Sequence, residues 1–103
     1  MQDKKSKIEC QTPTPGKKPT KILQWKYDII ADAILEILPT EGDGIVFNDL
    51  ADLVIKKLDG QTQEKIGSIP WYTTTVKLDL ECKRKIFRVS RSNPQRLKKN
   101  KDN

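Results

Sequence analysis

The chain has 103 residues, 33% of them charged, a net charge of +6, two cysteines and no histidine. This length allows one small domain, with a folded part of roughly 75 residues. No apolar run approaches the ~20 residues of a membrane span, and the polar N-terminus has nothing suited to a signal peptide, so a cytoplasmic protein with no membrane contact is expected. Cys10 and Cys82 stand alone, which excludes a disulfide framework and a zinc cluster and leaves no cofactor implied.

Residues 1–26 carry seven lysines against Asp3 and Glu9, a balance of +5. Residues 27–82 carry four lysines against eleven carboxylates, a balance of −7. Residues 83–103 carry nine lysines and arginines against Asp102, a balance of +8. An acidic body with basic ends favours a polyanion gripped by the ends. The competing account, solubility charge on unstructured termini, covers the N-terminal lysines well but not arginines on a predicted hairpin.

In chain order, residues 1–21 read as a disordered basic tail, because Pro13, Pro15 and Pro19 preclude a helix. A domain follows over 22–99, with 100–103 as a second disordered tail. The first helix runs from about Trp25 to Leu38 and is stopped by Pro39; Tyr27, Ile30, Ala31, Ile34 and Leu38 form its core stripe. Asp28, Asp32 and Glu36 share its wet side and read as a solvated face rather than a cation site. Ile45 to Phe47 fits one short strand. Asn48 is placed to cap a second helix, with Leu50, Ala51, Val54 and Leu58 on its apolar face. That helix ends near Asp59-Gly60, and a polar connection reaches Gly67.

The third helix opens on Ser68 as cap with Pro70 in its first turn, and runs without Gly or Pro to about Cys82. Ile69, Tyr72, Val76 and Leu80 form one apolar stripe. Trp71, Leu78 and Cys82 form a second on nearly the opposite side, and Thr74, Lys77 and Glu81 the polar strip between. The second stripe is covered either by the hairpin and Ile22, Leu23 and Trp25, the favoured account, or by a second copy in a homodimer through Trp71 and Leu78. Ile86 to Ser90 reads as a strand, Arg91 to Pro94 as a turn, and Gln95 to Lys98 as the return strand.

Helix, strand, helix, helix, strand, strand is the order of an α+β winged helix with three helices, one short strand and a C-terminal hairpin wing. DNA contact is then expected from Thr74, Lys77, Arg84, Arg88, Arg91, Arg96 and Lys98, mainly through phosphates. The polar strip of the third helix is narrow for base readout and holds one lysine and one glutamate. An enzyme is not expected. There is no glycine-rich phosphate loop or nucleophile elbow, and Asp79 and Glu81 lie on different sides of the helix.

The stretch LDLECKRKIFRV resembles the helix-to-wing passage of bacterial winged-helix regulators. In that passage a Leu-Glu pair (here Leu80-Glu81) precedes a short turn and an Ile-x-Arg strand (here Ile86 and Arg88). The glycine usual in that turn is replaced by Arg84. TPTPGK, Lys26-Tyr27, AILEILP, GSIPWYTTTVKLDLE and PQRLKK make the chain, from Thr12 to Lys99, look like a family of small uncharacterised bacterial proteins. That resemblance implies a winged-helix-like fold and carries no activity, so the regulatory role at DNA rests on charge and element order. A protein-interaction module without DNA binding is the alternative reading.

Overall fold

The computed structural model describes residues 5–101. The ends of both expected tails, residues 1–4 and 102–103, lie outside the described residues. Within them the chain is mixed α+β, with four helices and two small antiparallel sheets.

Strand β1 (Lys7–Cys10) pairs with β2 (Thr20–Leu23), matching Ile8 to Ile22 and Cys10 to Thr20. This corrects the disordered tail expected over 1–21. Lys7-Ile8-Glu9-Cys10 alternates polar and apolar residues, the period of a half-buried strand. The three prolines fall in the connecting loop, where they cost no ladder bond. Cys10 and Ile22 are buried in the core.

Helix α1 (Gln24–Ile37) buries Tyr27, Ile30, Ala31, Ala33 and Ile34, the expected stripe widened by one alanine. Strand β3 (Ile45–Val46) leads directly into α2 (Phe47–Lys57). Asn48 is exposed in the first turn and does not cap this helix. Val46 holds the cap position without a side-chain bond, and the Phe47 amide donates instead to the Gln95 carbonyl (2.8 Å). A neighbouring segment thus satisfies one of the first-turn amides that have no partner within the helix.

The polar connection after α2 is itself a helix, α3 (Gly60–Ile66), which corrects the expected three helices to four. Asp59 caps it by accepting from the Thr62 amide at 2.7 Å, and this bond lowers the Asp59 pKa. Only Ile66 is buried, so the helix has almost no apolar periodicity by which to recognise it. Helix α4 (Ile69–Cys82) follows, with the Ser68 hydroxyl accepting from the Trp71 amide and Pro70 in the first turn as expected. Helices α1, α2 and α4 pack on one another around Ile30, Ile34, Leu50, Val54, Val76 and Leu80.

After α4 come β4 (Ile86–Arg88) and β5 (Arg96–Lys99), and the second sheet has the order β3-β5-β4. Both strands are offset from expectation, because the Val89-to-Gln95 connection is longer than a tight turn. Asn100 and Lys101, expected in the C-terminal tail, are held in place: the Asn100 amide donates a hydrogen bond to the Lys85 carbonyl, and Lys101 pairs with Glu41. Gly44 sits at φ +82°, where an added Cβ would lie 2.6 Å from the Leu97 carbonyl oxygen. Only glycine lets the loop approach β5 this closely.

Helix α4 ends in a Schellman motif. The Lys85 amide donates to the Leu80 carbonyl and the Arg84 amide to the Glu81 carbonyl, with Arg84 at φ 60°. That left-handed position is the usual site of glycine. The missing glycine has therefore not changed the turn; arginine adopts it, at an ordinary cost of about 1–2 kcal/mol. Arg84→Gly should accordingly leave stability unchanged or raise it by up to about 1 kcal/mol in urea denaturation. A loss of more than that would show that the arginine side chain stabilises the turn.

Candidate nucleic-acid interface

The expected contact residues separate into three groups. Lys77 is not at the surface: it is 2% exposed, its ammonium 2.8 Å from Glu81 Oε2 and 4.5 Å from the centroid of the Phe47 ring. Burial lowers its pKa, opposed by the bond to Glu81. The polar strip on which it was placed turns inward, because a lysine stem can lie along apolar surface while its head finds a partner. Lys77 is removed from the contact set.

Arg88 is exposed, but its Nε donates to Glu81 Oε1 at 2.6 Å, so its charge is largely answered within the chain. Arg84 and Arg91 form the second group. Both are exposed, both have left-handed backbone (φ 60° and 59°), and neither makes an ion pair among the described residues. Arg96 and Lys98 form the third, half-buried along β5, with the Lys98 ammonium 5.7 Å from the centroid of the Phe87 ring. Thr74 is exposed on α4.

The two residues proposed for a partner interface also part company. Trp71 is 48% exposed and meets Tyr72 edge to face at 4.9 Å. Leu78 is half-buried and shares a small cavity of about 210 Å³ with Cys10, Thr12, Lys17 and Lys18. Intramolecular cover of the second stripe is thus partial. At Leu78 it comes from β1 and the loop after it, the segment read as a tail.

Beneath that loop lies a polar cluster that sequence reasoning did not identify. Asp79 is fully buried; its Oδ1 accepts from the Gln11 amide (2.9 Å), and its Oδ2 accepts from the Tyr27 hydroxyl and pairs with the Lys83 ammonium at 2.8 Å. Lys83 also donates to the Tyr27 hydroxyl at 3.1 Å. Burial, followed by the bond to Asp79, drives the Tyr27 pKa strongly upward. Burial, with Asp79 second, pushes the Cys10 thiol up to about 11. The one sequence signal was the i, i+4 spacing of Asp79 and Lys83. Helical position alone set Asp79 on a different side of α4 from Glu81 and could not show that the N-terminal strand and its loop lie over it.

The cluster ties the N-terminal hairpin to α4 and α1. It also predicts thiol behaviour. Cys82, exposed and unbridged, should react with a thiol reagent in the folded protein, whereas Cys10 should react only on unfolding. Mass spectrometry after limited labelling at neutral pH distinguishes them, and equal labelling would contradict a docked β1.

Among the described residues, no helix is long and apolar enough to cross a membrane. No curated protein and no solved structure matches the chain. A family model does match, over residues 7–97, a span that includes β1, the Asp79 cluster and the basic hairpin as far as Leu97. The chain belongs to the family of unknown function DUF6958.

Proposed function

We propose that this is a non-enzymatic winged-helix protein that binds nucleic acid, gripping phosphates with the β4–β5 hairpin and serving as a cytoplasmic regulatory or accessory factor at DNA. The observation that carries the reading is the pair of exposed guanidinium groups, Arg84 and Arg91, which flank β4 and make no ion pair among the described residues. A strand between the first two helices, a last long helix and a hairpin in the order β3-β5-β4 are the elements of a winged helix with one extra short helix.

The contribution of α4 is the main departure from a base-reading protein. With Lys77 buried, its exposed positions are Pro70, Trp71, Thr74 and Cys82, none of them charged. Binding is therefore to backbone and insensitive to sequence. Lys17 and Lys18, exposed on the loop anchored by Asp79, add cations on the α4 side.

Fluorescence anisotropy with a labelled duplex tests this directly. The expected Kd is on the order of 10⁻⁵ M near physiological salt, tightening at low salt. Lys77→Met should leave it unchanged, and no binding at low salt would end the proposal. The exposed Trp71 supports a second reading, an apolar contact with a protein partner or a second copy. Sedimentation of a monomer at high concentration would remove the homodimer form.

A further inference from the structure

The two faces of the β3-β5-β4 sheet differ sharply. Ile45 pairs with Leu97, Arg88 with Leu97 and Ile86 with Lys99, and paired residues share a face. This is the inner face: Ile86 and Leu97 are buried, Lys99 donates to the Leu35 carbonyl of α1, and Arg88 reaches Glu81 of α4. The opposite face carries Phe87 paired with Lys98, and Val46 paired with Arg96.

Phe87 is 37% exposed, one of two large apolar side chains in that state among the described residues. It stands on β4, an edge strand, and borders an open depression of about 450 Å³ at that edge, lined also by Pro13, Arg84, Ile86, Arg88 and Asn100. Glu81, at the same depression, is already paired with Lys77 and Arg88. Phe87 thus meets Arg84 at the edge depression and shares the outer face with Arg96 and Lys98, a face whose paired residues include no carboxylate.

We propose that Phe87 is a stacking platform for an unpaired base, making the outer face of this sheet a binding site for single-stranded nucleic acid. The inference rests on the phosphate-gripping reading above and adds the substrate class. A phosphate clamp needs cations only, and bases inside a duplex cannot reach a ring on a sheet edge. An aromatic ring interleaved with cations is the chemistry of sequence-tolerant single-strand binding, in which bases stack and cations follow the backbone. Lys98 lies near the ring centroid, and the depression leaves room for a base alongside it.

The full chain is titrated by anisotropy against labelled oligothymidylate, a fully abasic strand of equal length, and a duplex. The abasic strand keeps the phosphates and removes the bases. Oligothymidylate should bind about tenfold tighter than the abasic strand. Phe87→Leu, which keeps an apolar contact, should erase that difference without changing abasic affinity, and Phe87→Trp should retain it. Equal binding of the two strands by the parent protein overturns the stacking site while leaving phosphate binding intact. So does an equal loss for both strands in Phe87→Leu, or a Phe87-dependent preference for the duplex. If none of the three binds, the phosphate-gripping reading fails and this inference fails with it.

Discussion

Replacing Asp79 with alanine should cost about 2–4 kcal/mol of folding stability, the loss expected when a buried acceptor serving several donors is removed. The Gln11 amide and the Tyr27 hydroxyl would both lose their acceptor. The buried Tyr27 hydroxyl, left unpaired, costs about 1–3 kcal/mol, and the Gln11 amide less, because Gln11 is exposed and can turn to water. Lys83 adds less, because its side chain is 40% exposed and can return to water. For a domain of this size the loss corresponds to a fall in Tm of roughly 10 °C or more. Asp79→Asn keeps an oxygen for the Gln11 amide and should cost less. Tyr27→Phe should cost about 1–2 kcal/mol, the usual value for a hydrogen bond to a charged group. Hydrogen exchange gives the location: amides of β1 should lose protection before those of α1. A loss below about 1 kcal/mol for Asp79→Ala would mean that the cluster does not hold the N-terminal hairpin. Because that hairpin carries Lys17 and Lys18, the same variant should also weaken nucleic-acid binding under conditions where it remains folded.

Affinity for nucleic acid should fall about a hundredfold between ~50 and ~200 mM salt, as expected for roughly four phosphate contacts. Arg84, Arg91, Arg96 and Lys98 are the four cations assigned to them. The double variant Arg84→Ala, Arg91→Ala should flatten the log–log salt slope by about two, because each neutralised phosphate contributes roughly 0.9 to it. Arg88→Ala should flatten it much less, since Glu81 already answers that charge. A slope unchanged in the double variant would move the contacts away from the hairpin, most directly to the lysines of the N-terminal loop. A slope near zero would exclude phosphate binding altogether.

Much of the helical framework was legible from residue order. Tyr27, Ile30 and Ile34 recur at helical spacing and do pack in the core, Ser68 and Pro70 mark the start of α4, and Pro39 marks the end of α1. These are local signals, carried by side chains a few residues apart, so no tertiary partner is needed to read them. Strand β1 and helix α3 were missed because each is short and its local pattern weak. Four alternating residues and one buried isoleucine compete poorly with three prolines and a polar run.

The charge asymmetry, acidic body and basic ends, also follows from composition alone, and it is the source of the nucleic-acid reading. Which cations are free to act on it does not follow. Arg88 sits in the same basic stretch as Arg84 and Arg91, yet Glu81 takes it, as it takes Lys77 from within the acidic body. For Asp79 the helix period fixed only a side of α4 different from that of Glu81; the contact with Gln11, 68 residues away, exists only in the folded chain. Spacing along one helix says which side chains share a face, but whether that face meets water or another segment depends on contacts distant in the chain. In this protein those contacts turn Lys77 inward, place Asp79 beneath the N-terminal hairpin, and leave Phe87, Arg84 and Arg91 exposed.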